Sequence, residues 1–473
     1  MSITKPFYFG LLLQAPAVAA NPQSRIPANP FDIDRIASHV GQLEAAGFDL
    51  VLLADTLDMS EAAFAQPVLG LEAFTQASYI ASKTRHIGLA VSANTNYLEP
   101  FSLARLLASL DHVSHGRAGW LVTSTDSGNS ARNHQVAPAA EAARWRRRRE
   151  SIATVEGLFD TWEDDAFVRD KDSGRFVDTA KVHFLNHRGE HFAVKGPLNV
   201  ARPPQGHLPK LTYFAGEHAC GADPSHGHDY QGLLLAGLAE DEAWRLRESL
   251  ATTGAGPRLF NLVVPLIAES RGAAVQEFHA HLESIVLDKD ILRAGQPAAY
   301  WRLQQTCPAA DGVMPSGWRN LSALSIAAGY DFTAADADDI IDPATAAALA
   351  PRGRQLLRIA RLRQSLLQDA SATPAAASVV RVIDLLRAHV DPREIFAGTP
   401  ADWRAQVAAW ASPDSPYDGV LLAPAARHFL DDEFVRALAT ALPPPDDGTR
   451  ASAPLLLNGR LGLPRPANTF TLK

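Results

Sequence analysis

Along the first half of the chain, short apolar runs alternate with stretches in which apolar residues recur every three or four positions. This is the pattern of parallel βα units. Residues 7–14 predict a first strand. Residues 32–46 predict a helix, with Ile33, Ile36, Val40 and Leu43 on one face and Gly47 as its stop. Residues 48–55 are nearly all apolar, as expected of a strand covered on both sides. A helix over 71–82, a strand over 87–92, a helix over 101–114 and a strand over 118–124 continue the alternation, with Leu103, Leu106, Leu107 and Leu110 forming the third helix's inward stripe. A long helix over 139–162 follows. Residues 163–207 are polar and rich in Asp, His, Gly and Pro, and predict an insertion on the loop face. Strand patterns resume at 211–216, 232–236 and 260–266. A second, irregular helical insertion covers about 290–393, and the last strand, 417–424, precedes a helix over 432–441 and a Pro-rich tail. The expectation is an α/β fold, a (β/α)8 TIM barrel forming one domain over 1–473 with two large insertions.

Composition narrows the function classes. The 473 residues are 47% apolar and 20% charged, enough for a large core in a soluble protein. The net charge of −8 argues against a nucleic-acid partner. Cys220 and Cys307 form no metal or disulfide spacing and suit a reducing cytoplasm. The apolar run 7–20, ending in small residues, mimics a signal peptide, but it lacks a strongly basic leader and a barrel needs its first strand there. No segment reaches the roughly 20 apolar residues of a membrane span. The expected protein is cytoplasmic, without a membrane partner.

The C-terminal rim of a parallel barrel builds its active site, so polar residues ending apolar strands are candidates for chemistry. They are Asp55, Ser92, Asn94, Thr95, Ser124, Thr125, Glu217 and His218. Each alone reads as a cap or turn residue; their recurrence at successive strand ends raises their interest. His112, His115, His183, His187 and His191 match no zinc spacing, so capping or packing roles and no metal are expected. Glu163, Asp164 and Asp165 read as solvated surface. No Gly-x-Ser-x-Gly elbow follows a strand.

Several groups of residues together carry a resemblance. They include Leu52-Leu53-Ala54-Asp55-Thr56-Leu57, Ile87-Gly88-Leu89 with Thr95, Tyr97 and Glu99-Pro100, and Ser109-Leu110-Asp111-His112 with His115-Gly116-Arg117-Ala118-Gly119-Trp120. They continue through Trp162-Glu163-Asp164-Asp165-Ala166, Gly196-Pro197-Leu198, Pro204-Gln205-Gly206, Gly398-Thr399-Pro400, Tyr417-Asp418-Gly419 and Arg460 to Asn468. In order and over nearly the whole chain, this set resembles the bacterial luciferase-like flavin-dependent monooxygenase superfamily, in its nitrilotriacetate and dibenzothiophene-sulfone monooxygenase branch. The resemblance implies a two-component monooxygenase. A separate flavin reductase would supply reduced FMN by diffusion, O2 would give a C4a-peroxyflavin, and a small organic substrate would be oxygenated. It also implies a homo-oligomer. The family's flavin contacts map to Asp55 and to Ser92, where the family has Thr.

The departures fall on the flavin-phosphate site. Where the family has a His and a Tyr one turn apart at the start of the long helix, this chain has Glu141 and Trp145. His218 replaces a serine after the fifth strand, and Leu121 replaces an Asn on the fourth. A carboxylate about 5 Å from a phosphate dianion, at an effective dielectric near 20, is repelled by about 6 to 7 kcal/mol. That is close to the ~8 kcal/mol of a micromolar site. His218 could compensate, as could one guanidinium from the run Arg144, Arg146, Arg147, Arg148, Arg149, whose plainer reading is a solvated helix face. A rival reading pairs Glu141 with His218 in a flavin-free paralogue serving as a partner subunit or binding another ligand. The expected cofactor-binding residues are Asp55, Ser92, Trp145 and His218, with no catalytic residue assigned.

Overall fold

The computed structural model describes residues 5–14, 29, 31–55, 57, 70–124, 128–136, 139–214, 227, 229–251, 256–285, 321–332, 335–368, 379–424, 431–442 and 456–471. The strands are β1 (Tyr8–Gln14), β2 (Leu50–Ala54), β3 (Gly88–Asn94), β4 (Ala118–Thr123), β5 (His187–Arg188), β6 (Ala193–Val194), β7 (Lys210–Phe214), β8 (Gly232–Leu235), β9 (Arg258–Ile267), β10 (Glu394–Gly398) and β11 (Gly419–Leu422). All but β5 and β6 form one nine-stranded sheet, ordered β10-β9-β11-β1-β2-β3-β4-β7-β8. A further β8–β9 pairing closes eight of these strands into a parallel barrel. The TIM-barrel expectation therefore holds.

Strand alternation separates two apolar layers. Leu12, Leu50, Leu52, Ala90, Leu121, Leu211, Leu234, Phe260 and Leu262 fill the barrel, while Phe9, Leu11, Val51, Leu53, Leu89 and Val91 face the surrounding helices. Those helices begin with α1 (Ile33–Ala46), capped by the Asp32 side chain and ended by Gly47 in the left-handed conformation at φ 93°. Then come α2 (Ala73–Lys83), α3 (Pro100–Val113), the short α4 (Gly128–Asn133) and the long α5 (Glu141–Phe159). The lower mouth is closed from the C-terminal segment. Leu457 packs beneath β3, and a Cβ at Gly88 would lie 2.6 Å from its Cδ1, so any side chain at that strand start would have to displace Leu457.

The polar stretch after α5 carries the small β5–β6 hairpin. Glu150 of α5 holds it, accepting the His187 ring at 2.9 Å and the backbone N–H groups of His191 and Phe192. Asp164 and Asp165 are exposed, as the solvated-surface reading expects, and all three acidic residues are also ion-paired: Glu163 meets His183, Asp165 meets Lys181, and Asp164 accepts from Arg465 and Arg202, which pulls its carboxyl down to about 2. Several residues that carry the family resemblance serve this scaffold. Gln205 donates to buried Asp111 and to the Ala118 carbonyl and accepts from Asn458 N–H; Asn468 donates to the Asp160 and Trp162 carbonyls.

After β8 come α6 (Glu240–Leu250), β9 and α7 (Arg271–Ile285). The described part of the second helical stretch contains α8 (Leu321–Ala328), α9 (Pro343–Ala348), α10 (Pro351–Gln368) and α11 (Val382–Val390), packed around Leu324, Phe332, Leu356 and Leu386. The helices α12 (Pro400–Trp410), α13 (Asp432–Ala441) and α14 (Leu457–Arg460) complete the chain. The strand β10 is absent from the sequence expectation. It exists because β9 runs past the barrel rim: Val263 pairs with β11 on one edge and with Glu394 of β10 on the other. Among the described residues, no helix is long and apolar enough to cross a membrane.

Candidate active site

The polar strand ends collect at the C-terminal rim. Ser92 and Asn94 follow Ala90 on the inward face of β3. Ser92 Oγ accepts the Asp55 backbone N–H at 2.8 Å, bringing together the two residues that the resemblance marks as flavin contacts. The Asp55 carboxylate is placed by a long contact, 3.4 Å, from the Ala73 N–H at the start of α2. Other rim residues build turns. Asn94 Oδ1 accepts from Asn96 N–H, Thr95 N–H donates to the Thr123 carbonyl, and the Asn96 amide donates to the Ser124 carbonyl. Asn96 is buried and its Oδ1 has no hydrogen-bond partner among the described residues, a feature the strand-end pattern did not mark. Leu121 pairs in register with Ser92 and joins the apolar filling of the barrel.

The arginine run on α5 splits by helical phase. Arg146 and Arg149 lie on the solvated face beside Glu190 and Asp229, as expected. Arg147 lies over the Phe192 ring and pairs with Glu99. Arg144 and Arg148 are buried, a correction to the solvated-face reading. Their spacing matches the inward stripe that continues through Ser151 and Val155.

Arg148, fully shielded from solvent, is a stitch between strands. The β4–β7 ladder pairs only Trp120 with Lys210 and Leu121 with Leu211, then splays. Beyond it, Arg148 Nη2 donates to the Val122 carbonyl at 3.1 Å and to Thr212 Oγ1, while Nη1 donates to Ser124 Oγ at 3.3 Å. The rings of Trp145 and Tyr230 flank the guanidinium at 4.7 and 5.0 Å.

Arg144, one turn nearer the rim and adjacent to Trp145, is only 6% exposed. Among the described residues its guanidinium has no hydrogen-bond or ion-pair partner. A largely buried cation with no protein acceptor is open to an anion that reaches it. Its position, in the first turn of α5, is where the resemblance puts the flavin phosphate. A cation at this position is compatible with an anionic flavin tail. His218, Thr125, Glu217, both cysteines and the Glu141 side chain lie outside the described residues. So does the Glu141–His218 pair of the flavin-free alternative. His183 is occupied by Glu163 and stacked on Phe470, and His187 by Glu150. No group of three or more His, Cys, Asp or Glu residues converges as a metal site among the described residues.

Comparison with known proteins agrees with this architecture. The family model described as luciferase-like monooxygenase matches residues 9–413. The chain is 44% identical over 164 residues to N-acetyl-S-(2-succino)cysteine monooxygenase of Bacillus subtilis, covering 34% of this chain and 37% of that protein. It is 40% identical over 234 residues to nitrilotriacetate monooxygenase component A of Aminobacter aminovorans, covering 46% and 51%. The chain thus spans between about a third and half of the length of these curated relatives. Among solved structures it resembles DmoA from Hyphomicrobium sulfonivorans, with a TM-score of 0.69 at 21% identity over 97% of this chain and 92% of that one. It also resembles EDTA monooxygenase from Chelativorans sp. BNC1, with a TM-score of 0.67 at 21% identity over 98% and 99%. With the closed parallel barrel and the matched span, the chain belongs to the luciferase-like monooxygenase family.

Proposed function

We propose that this chain is an FMN-dependent monooxygenase that takes reduced flavin from a separate reductase and, with O2, oxygenates a small organic molecule at the C-terminal mouth of the barrel. Arg144 carries the reading: it is a buried cation with no acceptor among the described residues, at the start of α5 beside Trp145. It would receive the flavin phosphate through charge-assisted hydrogen bonds and offset the charge of Glu141. Trp145 supplies a flat apolar wall beside that position. Asp55 and Ser92 orient the opposite side, Ser92 Oγ fixing the Asp55 backbone so that its carboxylate stays at the rim. The reduced flavin supplies the electrons that activate O2. The apolar filling from Leu12 through Leu262 keeps water from entering through the barrel beneath the reacting groups.

The test is an anaerobic titration of the full chain with FMN and photoreduced FMN, followed by flavin fluorescence and absorbance. Saturable micromolar binding of reduced FMN, followed on admission of O2 by an absorbance transient distinct from that of free flavin, supports the proposal. Absence of binding in both redox states refutes it and favours the flavin-free reading.

A further inference from the structure

On the other side of the mouth, the end of β9 and the start of β10 assemble a second cationic position. Ile395 and Ala397 of β10 pack with Val264 and Leu266, on the same face of β9 as Phe260 and Leu262 inside the barrel. Phe396 faces outward onto Trp403, and Glu394 accepts from Asn261 Nδ2 at 2.7 Å. Glu394 stands opposite Val263, so the alternation sets Arg393 on the inward side at the level of the rim.

Arg393 is aimed by its neighbour. Its Nε and Nη2 donate to the two Asp391 carboxylate oxygens at 2.6 and 2.7 Å, and the side chain stays 24% exposed, leaving Nη1 open. Tyr213 of β7 lies in the same interior layer. It is 4% exposed, its hydroxyl has no hydrogen-bond partner among the described residues, and it is close enough to Arg393 for the two to interact electrostatically. Behind them Arg363, 5% exposed, donates Nη2 to the Asp391 and Arg393 carbonyls at 2.5 and 3.0 Å. Its Nε and Nη1 have no partner among the described residues. Arg363 also lies within electrostatic range of Arg387, Arg393, Asp384 and Asp391.

Unmade hydrogen bonds on a buried guanidinium and an interior hydroxyl beside Arg393 call for an oxygen anion. We propose that Arg393 and Tyr213, backed by the charge of Arg363, bind a carboxylate of the substrate, so that the molecules oxygenated are small carboxylic acids. This proposal deepens the monooxygenase reading and rests on it. The planar edge of a guanidinium held from behind suits a planar carboxylate. The flavin phosphate is assigned to a different sector of the rim, at α5 after β4, with β7 and β8 between that strand and β9.

Calorimetric titration of the full chain with succinate, glutarate and citrate, with succinamide as the uncharged control, tests the proposal. At least one acid is expected to bind saturably and succinamide not to bind. Arg393→Gln should weaken acid binding at least tenfold and Tyr213→Phe about fivefold, with Arg393→Lys intermediate. Near-ultraviolet circular dichroism checks each fold. Should Arg393→Gln misfold because Asp391 loses its partner, Tyr213→Phe and Arg393→Lys still decide. The proposal is overturned if none of the three acids binds, if succinamide binds equally, or if the variants leave acid binding unchanged. FMN binding with no acid binding sinks this proposal and spares the oxygenase reading; the reverse pattern does the opposite. If Arg393→Gln weakens FMN but not riboflavin, the anion is the flavin phosphate, and the substrate assignment falls.

Discussion

Replacing Arg144 by Met should raise the stability of the free protein while weakening its hold on FMN. The side chain is 6% exposed and has no hydrogen-bond or ion-pair partner among the described residues. Met fills similar space without a charge. With the guanidinium still touching solvent, only part of the cost of an unsatisfied polar group applies, so the unfolding free energy of Arg144→Met should rise by less than about 1 kcal/mol. With FMN bound, the same guanidinium donates to phosphate oxygens. Hydrogen bonds to charged groups contribute about 1.5 to 3 kcal/mol net, so FMN should bind about 10- to 150-fold more weakly to the variant. Riboflavin, which lacks the phosphate, should bind wild type and variant within about twofold. Urea unfolding gives the first quantity and quenching of flavin fluorescence the second. A variant that is less stable without flavin, or that loses FMN and riboflavin equally, would show that Arg144 is a packing residue and that the phosphate sits elsewhere. Stability gained with cofactor affinity lost is the signature of a side chain kept for binding.

Arg148 should behave in the opposite way, since its partners are all internal. Arg148→Met removes the donors to the Val122 carbonyl, Thr212 Oγ1 and Ser124 Oγ where β4 and β7 part, and should cost about 3 kcal/mol in guanidinium unfolding without altering the FMN-to-riboflavin ratio. Ser92→Ala removes the acceptor for the Asp55 N–H and should cost about 1 kcal/mol by urea unfolding. His389 of α11 is fully buried, with neither ring nitrogen hydrogen-bonded among the described residues, and burial pushes its pKa down to about 3. The unfolded chain takes up a proton on this ring near pH 6.5 and the folded chain does not. The stabilisation is therefore present above pH 6.5 and is lost as pH falls toward 3, reaching about 5 kcal/mol. His389→Leu should flatten that part of the pH–stability curve, and an unchanged slope would show that His389 is protonated in the fold.

The barrel was readable from sequence because its eight strands are short, apolar and regularly spaced, and because helix ends such as Gly47 carry their own backbone signal. The strand β10 was not readable. Glu-Ile-Phe-Ala-Gly is brief, opens with a charge, and owes its pairing to the overshoot of β9, which no local pattern records. The rim was half legible. Asp55 and Ser92 stood out as polar ends of apolar strands, but Asn94, Thr95 and Ser124 have the same composition and spend it on turns. Five arginines in six positions read as a solvated face, although Arg144 and Arg148 share the phase of Val155 and could have been separated from Arg146 and Arg149 by that spacing. Arg393 and Tyr213 gave no signal, because they meet only after β7 and the segment before β10 have been folded onto the same mouth.

Placing two cations on different sectors of one rim has a consequence that separates ligand binding from scaffold. If Arg144 takes the flavin tail and Arg393 the substrate carboxylate, each substitution must act on one ligand alone. Arg144→Met should leave acid binding intact, and Arg393→Lys should leave the preference for FMN over riboflavin intact. A bound dianion at one site would favour the free cation at the other only weakly, because salt screens charges separated by more than about a Debye length of 8 to 10 Å. The two effects should then combine nearly additively in the double variant. A large coupling would require the two side chains to touch a single ligand, and would replace two sites by one.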